Sequence, residues 1–106
     1  MNTSANREPL AKMVSFGEHT FNVELEDGRI LCVPYSWYPR LIGASKAQLE
    51  NYRLIAGGEG ISWEALDEDI SIDGLIQGKA DGTNFARKFW QAHPEHRPNF
   101  VRDSAA

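Results

Sequence analysis

The sequence predicts a small α+β domain: an antiparallel three-strand meander, one or two further short strands, and two or three short helices. Three observations carry that class. Phe21, Val23 and Leu25 alternate with Thr20, Asn22 and Glu24 just ahead of Asp27-Gly28; period-two alternation running into an Asp-Gly pair marks a half-buried strand entering a hairpin. Ser45 with Gln48 three residues on, Ser71 before Ile72, and Thr83-Asn84 before Phe85 are helix-start signals, the last two closed by Gly78 and Pro94. Finally, 106 residues at 42% hydrophobic and 25% charged suit one compact domain, which at this size buries roughly 60–65% of its unfolded surface.

The elements follow in order. Met1 to Pro9 is polar and predicts a disordered lead-in. Leu10 to Phe16 is the first strand, Gly17-Glu18-His19 a turn, and Thr20 to Leu25 the second strand. Arg29 to Pro34 returns. Its run Ile30-Leu31-Cys32-Val33 is more uniformly apolar, which predicts a central, buried strand holding Cys32. Pro34 lacks an amide proton and ends the ladder. Tyr35, Trp37 and Tyr38 form either a ligand platform or, the plainer reading, a short turn whose rings cap the open end of the sheet. A capping box at Ser45 and Gln48 opens a helix from about Lys46 to Arg53, with Leu49 and Tyr52 turned inward.

Arg53 to Ala56 reads as a short strand. Gly57-Gly58-Glu59-Gly60 lacks the lysine and hydroxyl of a phosphate-binding loop and reads as a tight connection to a last strand, Ile61 to Trp63. Glu64 to Asp69 then leaves the sheet, and Ser71 caps a helix from Ile72 to Gln77. The chain thus divides into a lead-in (1–9), an α+β domain (10–78) and a tail (79–106) holding a helix over Phe85 to Ala92 and an extended end. The expected core joins Phe21, Val23, Leu25, Ile30, Trp63 and Leu66.

Composition narrows the function. A net charge of −4 speaks against a dedicated nucleic-acid binder, which presents a basic face. Cys32 is the only cysteine, so neither an intramolecular disulfide nor a four-thiolate zinc site can form. No apolar run reaches membrane-spanning length and the N-terminus has no signal-peptide core; a cytoplasmic protein is expected. His93 and His96 flank Pro94 and lack a third ligand, so no metal is assigned to them. With Cys32 in a buried strand and His19 alone on a turn, no nucleophile–base pair is assigned, and neither a catalytic residue nor a cofactor is expected.

Two clusters remain. Glu64, Asp67, Glu68 and Asp69 have three readings: carboxylates at a helix N-terminus answering its dipole and Arg40 or Arg53, an acidic contact surface for a basic protein, or a metal or acid–base site. Phe85, Phe89 and Trp90 lie on one flank of the tail helix behind the polar link Lys79-Ala80-Asp81-Gly82. A domain this small has little spare core for three large aromatics, so the helix is expected to pack across a subunit boundary, in a homodimer or against a partner.

The order and spacing of Gly28-Arg29, Tyr38-Pro39-Arg40-Leu41, Ala44-Ser45, Gly60-Ile61-Ser62-Trp63, Leu66-Asp67-Glu68-Asp69-Ile70-Ser71 and Gly74-Leu75-Ile76 resemble the DUF2442 family, over about Leu10 to Gly78. The resemblance implies a small α+β domain and no established activity or cofactor. Some relatives carry a C-terminal helix-turn-helix domain. Others are single domains encoded beside a small DUF4160-type protein, in an arrangement like a toxin–antitoxin pair. Only 28 residues follow Gly78, fewer than a helix-turn-helix domain needs, so direct nucleic-acid binding is not expected. The function expected is a non-enzymatic interaction module, antitoxin-like or inhibitory. It would meet a small basic partner, such as a DUF4160-type protein, through Glu64, Asp67, Glu68 and Asp69 and through Phe85, Phe89 and Trp90. The alternative is a metal-dependent or small-molecule enzyme centred on the acidic triplet.

Overall fold

The computed structural model describes residues 9–101; the expected lead-in, apart from Pro9, lies outside them. The strands are β1 (Ala11–Phe16), β2 (Thr20–Leu25), β3 (Ile30–Pro34), β4 (Arg53–Ile55), β5 (Gly60–Trp63) and β6 (Glu68–Ser71). The α-helices are α1 (Lys46–Glu50), α2 (Ile72–Ile76) and α3 (Asn84–Ala92). Short 3-10 turns fill the connections at Tyr35–Trp37, Pro39–Leu41, Ala56–Gly58, Glu64–Leu66 and Pro94–His96. The strands make two antiparallel sheets, ordered β1-β2-β3 and β4-β5-β6. The fold is α+β.

The first sheet is the expected meander, with one correction. β2 is its central strand and β3 lies at the edge. Phe21 opposes Val33 and Val23 opposes Leu31, while Asn22 opposes Cys32 and Glu24 opposes Ile30. Opposed residues share a face, so the polar side of β2 carries Ile30 and Cys32 outward. Ile30 is 63% exposed and leaves the expected core; Cys32 is exposed, not buried. A run of four apolar residues hid the alternation that the partner strand imposes. In β1 a bulge between Ala11 and Met13 resets the parity, so Ala11 and Val14 both face inward.

The second sheet goes further than the sequence reading. β5 does not end it: all four of its residues are buried, and β6 pairs along its other edge. The acidic stretch is therefore a turn followed by a strand, not the start of a helix. α1 opens with the expected capping box, Ser45 and Gln48 bonding reciprocally. It stops at Glu50, short of Arg53, because Arg53 pairs with Ser62 in β4. Ser71 caps α2 by accepting the Gly74 N–H.

One hydrophobic cluster spans both sheets. It takes Phe21, Val23, Leu25 and Val33 from the first, Ile61, Trp63 and Ile70 from the second, Leu49 from α1, and Ile72 and Leu75 from α2. Trp63 is 1% exposed, packs edge-on against Phe16 and Phe21, and donates its indole N–H to Leu49 O at 2.8 Å. Leu66 is half-buried against this core. Gly58 brings the sheets together. It sits at φ +107°, and a Cβ there would lie 2.8 Å from Ala11 O of β1.

Candidate contact surface and a buried carboxylate pair

The β5–β6 hairpin decides where each carboxylate points. Trp63 opposes Glu68 and Ile61 opposes Ile70, so Glu68 and Ile70 share the inward face with the core tryptophan. Asp69 and Ser71 take the outward face and are exposed. The four residues between Trp63 and Glu68 close the turn, with Asp67 in the left-handed region at φ 54°, ψ 45°. Aspartate tolerates that region better than most residues. Glu64, at the head of the turn, is exposed. The triplet is thus split: Asp67 and Asp69 are solvated, and Glu68 is only 7% exposed.

Arg40, from the Pro39–Leu41 turn, stands over the hairpin. Its Nη1 donates to both the backbone carbonyl and Oδ2 of Asp67, each at 3.1 Å. Its guanidinium lies 4.6 Å from the centroid of the Phe85 ring at the start of α3, a cation–π distance. Arg53, the other expected counter-charge, makes no ion pair among the described residues.

The tail helix returns to its own domain. Thr83 caps it by accepting the Ala86 N–H. Ala86 and Trp90 are buried, and Trp90 Nε1 donates to Ser36 O at 2.9 Å. Trp90 therefore fills the chain's own 35–41 turns, which corrects the expectation that all three aromatics face a neighbour: the turns that cap the sheet leave room for one of them. Phe85 stays 44% exposed. Phe89 is half-buried, between Phe85 and the rings of His93 and His96.

Asp81, in the link ahead of α3, carried no signal beyond the spacing Asp-x-Thr that favours a local turn. Its Oδ1 accepts the Thr83 N–H at 2.9 Å and its own N–H donates to Trp37 O at 3.0 Å. It is 9% exposed. Glu68 Oε1 and Asp81 Oδ2 are buried without a hydrogen-bond partner. Burial first, then the nearby Asp81 charge, pushes the Glu68 carboxyl up to about 7, against the opposing pull of Arg40. Burial, then Glu68 and Asp81, push the Tyr38 hydroxyl upward as well; that hydroxyl donates to Lys79 O at 2.7 Å. Among the described residues no three His, Cys, Asp or Glu side chains converge as metal ligands.

The hairpin, the 35–41 turns and the link up to Asp81 all fall inside the segment, residues 11–81, that matches the family model described as "Protein of unknown function (DUF2442)". The chain belongs to the DUF2442 family. Its DUF2442 match ends just before α3, so Glu64, Asp67, Glu68 and Asp69 lie within the family segment, whereas Phe85, Phe89 and Trp90 follow it. Two solved structures share the fold. One is a protein of unknown function from Rhodospirillum rubrum, 33% identical, covering 74% of this chain and 96% of its own, with a TM-score of 0.64. The other is an uncharacterised protein from Chromobacterium violaceum, 25% identical, covering 80% of this chain and 76% of its own, with a TM-score of 0.62. No curated protein matches the chain at significant similarity. No helix of the described residues is long and apolar enough to cross a membrane.

Proposed function

We propose that this DUF2442 protein is a non-enzymatic interaction module, antitoxin-like or inhibitory, that meets a small basic partner protein. The observation that carries the reading is Arg40, which joins Asp67 of the hairpin to Phe85 of the tail helix. It makes one surface of two elements distant in sequence, yet leaves the Asp67 side chain 96% exposed and Phe85 44% exposed. Glu64 and Asp69 add exposed carboxylates on the same hairpin. Exposed aromatic surface rimmed by charge is what a protein contact uses, and the sign of that charge selects a basic partner. A cytoplasmic setting, and a DUF4160-type protein as partner, belong to this reading.

The alternative, a metal-dependent or small-molecule enzyme centred on the acidic triplet, is disfavoured by the split of that triplet over two faces of β6, since a hard cation needs several oxygens converging on one point.

The test is capture from the native host, comparing the wild-type chain with an Asp67→Asn/Asp69→Asn/Phe85→Ala variant. A small basic protein retained by the wild type, released by raised salt and lost by the variant supports the reading. Identical captures by both chains sink it.

A further inference from the structure

Three hydrogen bonds hold the tail to the 35–41 turns. Asp81 N–H donates to Trp37 O at 3.0 Å, Tyr38 hydroxyl to Lys79 O at 2.7 Å, and Trp90 Nε1 to Ser36 O at 2.9 Å; within the tail, Thr83 N–H donates to Asp81 Oδ1 at 2.9 Å. Glu68, on β6, acts on this junction through its charge, which bears on Asp81 and on the Tyr38 hydroxyl. Glu68 and Asp81 come from different elements, each is more than nine-tenths buried, and each keeps one buried oxygen that no donor reaches. Buried acceptors without donors are uncommon in folded proteins. A carboxylate accepts only, but a protonated carboxyl donates as well. A proton on Glu68 turns one of these carboxyls from an acceptor into a donor and removes one of two like charges that act on each other.

We propose that a proton held at Glu68 beside Asp81 latches the tail to the domain, and that α3 loosens when both carboxylates are ionised. The charged and titratable groups acting on Glu68 are Asp81 from the link, Arg40 from the Pro39–Leu41 turn and Asp69 from its own strand, with the Tyr38 hydroxyl also coupled to it. Asp81 and Asp69 favour the proton and Arg40 opposes it. Arg40 is already committed to the Asp67 carbonyl, the Asp67 carboxylate and the Phe85 ring. The balance leaves Glu68 titrating near 7, so the latch works in a range a cell visits. It needs no partner and stands apart from the contact proposed above.

The indoles supply both reporter and reference. Trp90 N–H bonds across the junction to Ser36 O, whereas Trp63 N–H bonds inside the core to Leu49 O. Hydrogen exchange of each indole proton, followed by NMR on the full chain and divided by the rate of a free indole at the same pH, gives its opening constant. The Trp90 opening constant is expected to lie above that of Trp63, which opens only with the whole fold, and to rise by about tenfold between roughly pH 5.5 and pH 8. Glu68→Gln keeps a neutral donor at every pH and should flatten that rise. Asp81→Asn keeps the oxygen that receives Thr83 while deleting the neighbouring charge, and should move the midpoint to lower pH. A Trp90 opening constant that is flat with pH in the wild type, or no larger than that of Trp63, overturns the proposal. So does a pH dependence unchanged in both variants, which would assign it to other groups.

Discussion

Glu68 shows how one side chain can couple a fold to pH. Its carboxyl titrates near 7 in the folded protein, against 4.5 ordinarily. A raised value in the folded state means that the folded chain holds its proton more tightly than the unfolded chain does. The contribution to stability is therefore complete below about pH 4.5 and is lost as pH climbs through about 7. A shift of that size corresponds to about 3 kcal/mol, an upper figure because both states retain some solvation. Urea unfolding at about pH 5.5 and pH 8 should find the wild type less stable at the higher pH, with Glu68→Gln nearly level between the two. A wild type equally stable at both would show that Glu68 keeps its charge inside the fold.

Strand parity and close approach govern the element scale. Gly58 occupies a positive-φ position at +107° and faces Ala11 O and N at 2.8 and 3.2 Å from where a Cβ would be. Backbone atoms cannot swing aside as a flexible side chain can, so Gly58→Ala must shift one sheet relative to the other or distort the turn. A loss of about 2–4 kcal/mol is expected, read as a lower urea midpoint; an unchanged midpoint would mean that the turn repacks freely. The elements legible in sequence were those with local chemistry. Asp27-Gly28 announced the β2–β3 hairpin, and Ser45, Ser71 and Thr83 announced the three helix starts. β6 was not legible because Leu66 to Ser71 has no turn glycine before it; Asp67 takes the left-handed place instead. The outward direction of Ile30 was not legible because it is set by Glu24 across the ladder. The same gap affected the site. The four carboxylates could be named, but the inward turn of Glu68 depends on its pairing with Trp63, and Asp81 is buried by contacts with turns over forty residues away.

At the scale of the whole molecule, the tail is added to a core that is complete without it. Trp90 and Ala86 are buried, yet neither belongs to the main hydrophobic cluster, which draws on both sheets, α1 and α2. Truncation after Gly78 should therefore leave the β-sheet circular dichroism intact while lowering the melting temperature. It removes the Trp90 contact and the Lys79 carbonyl that receives Tyr38, an effect on the order of 2–3 kcal/mol for one large buried side chain. Complete unfolding of the truncated chain would instead make α3 part of the folding unit. Light scattering on both forms reports whether the exposed Phe85 joins subunits as well.

The outward face of β3 has a practical consequence. The chain carries a single thiol, and the alternation that puts Ile30 in solvent presents Cys32 there too. Each molecule thus bears one chemically addressable position on a rigid edge strand, away from the buried core. A maleimide dye or spin label can be attached at unit stoichiometry without mutagenesis, giving spectroscopy a fixed origin from which to follow the tail. The same thiol will join molecules covalently in air, so any pair found by mass must persist in reductant before it is counted as an assembly.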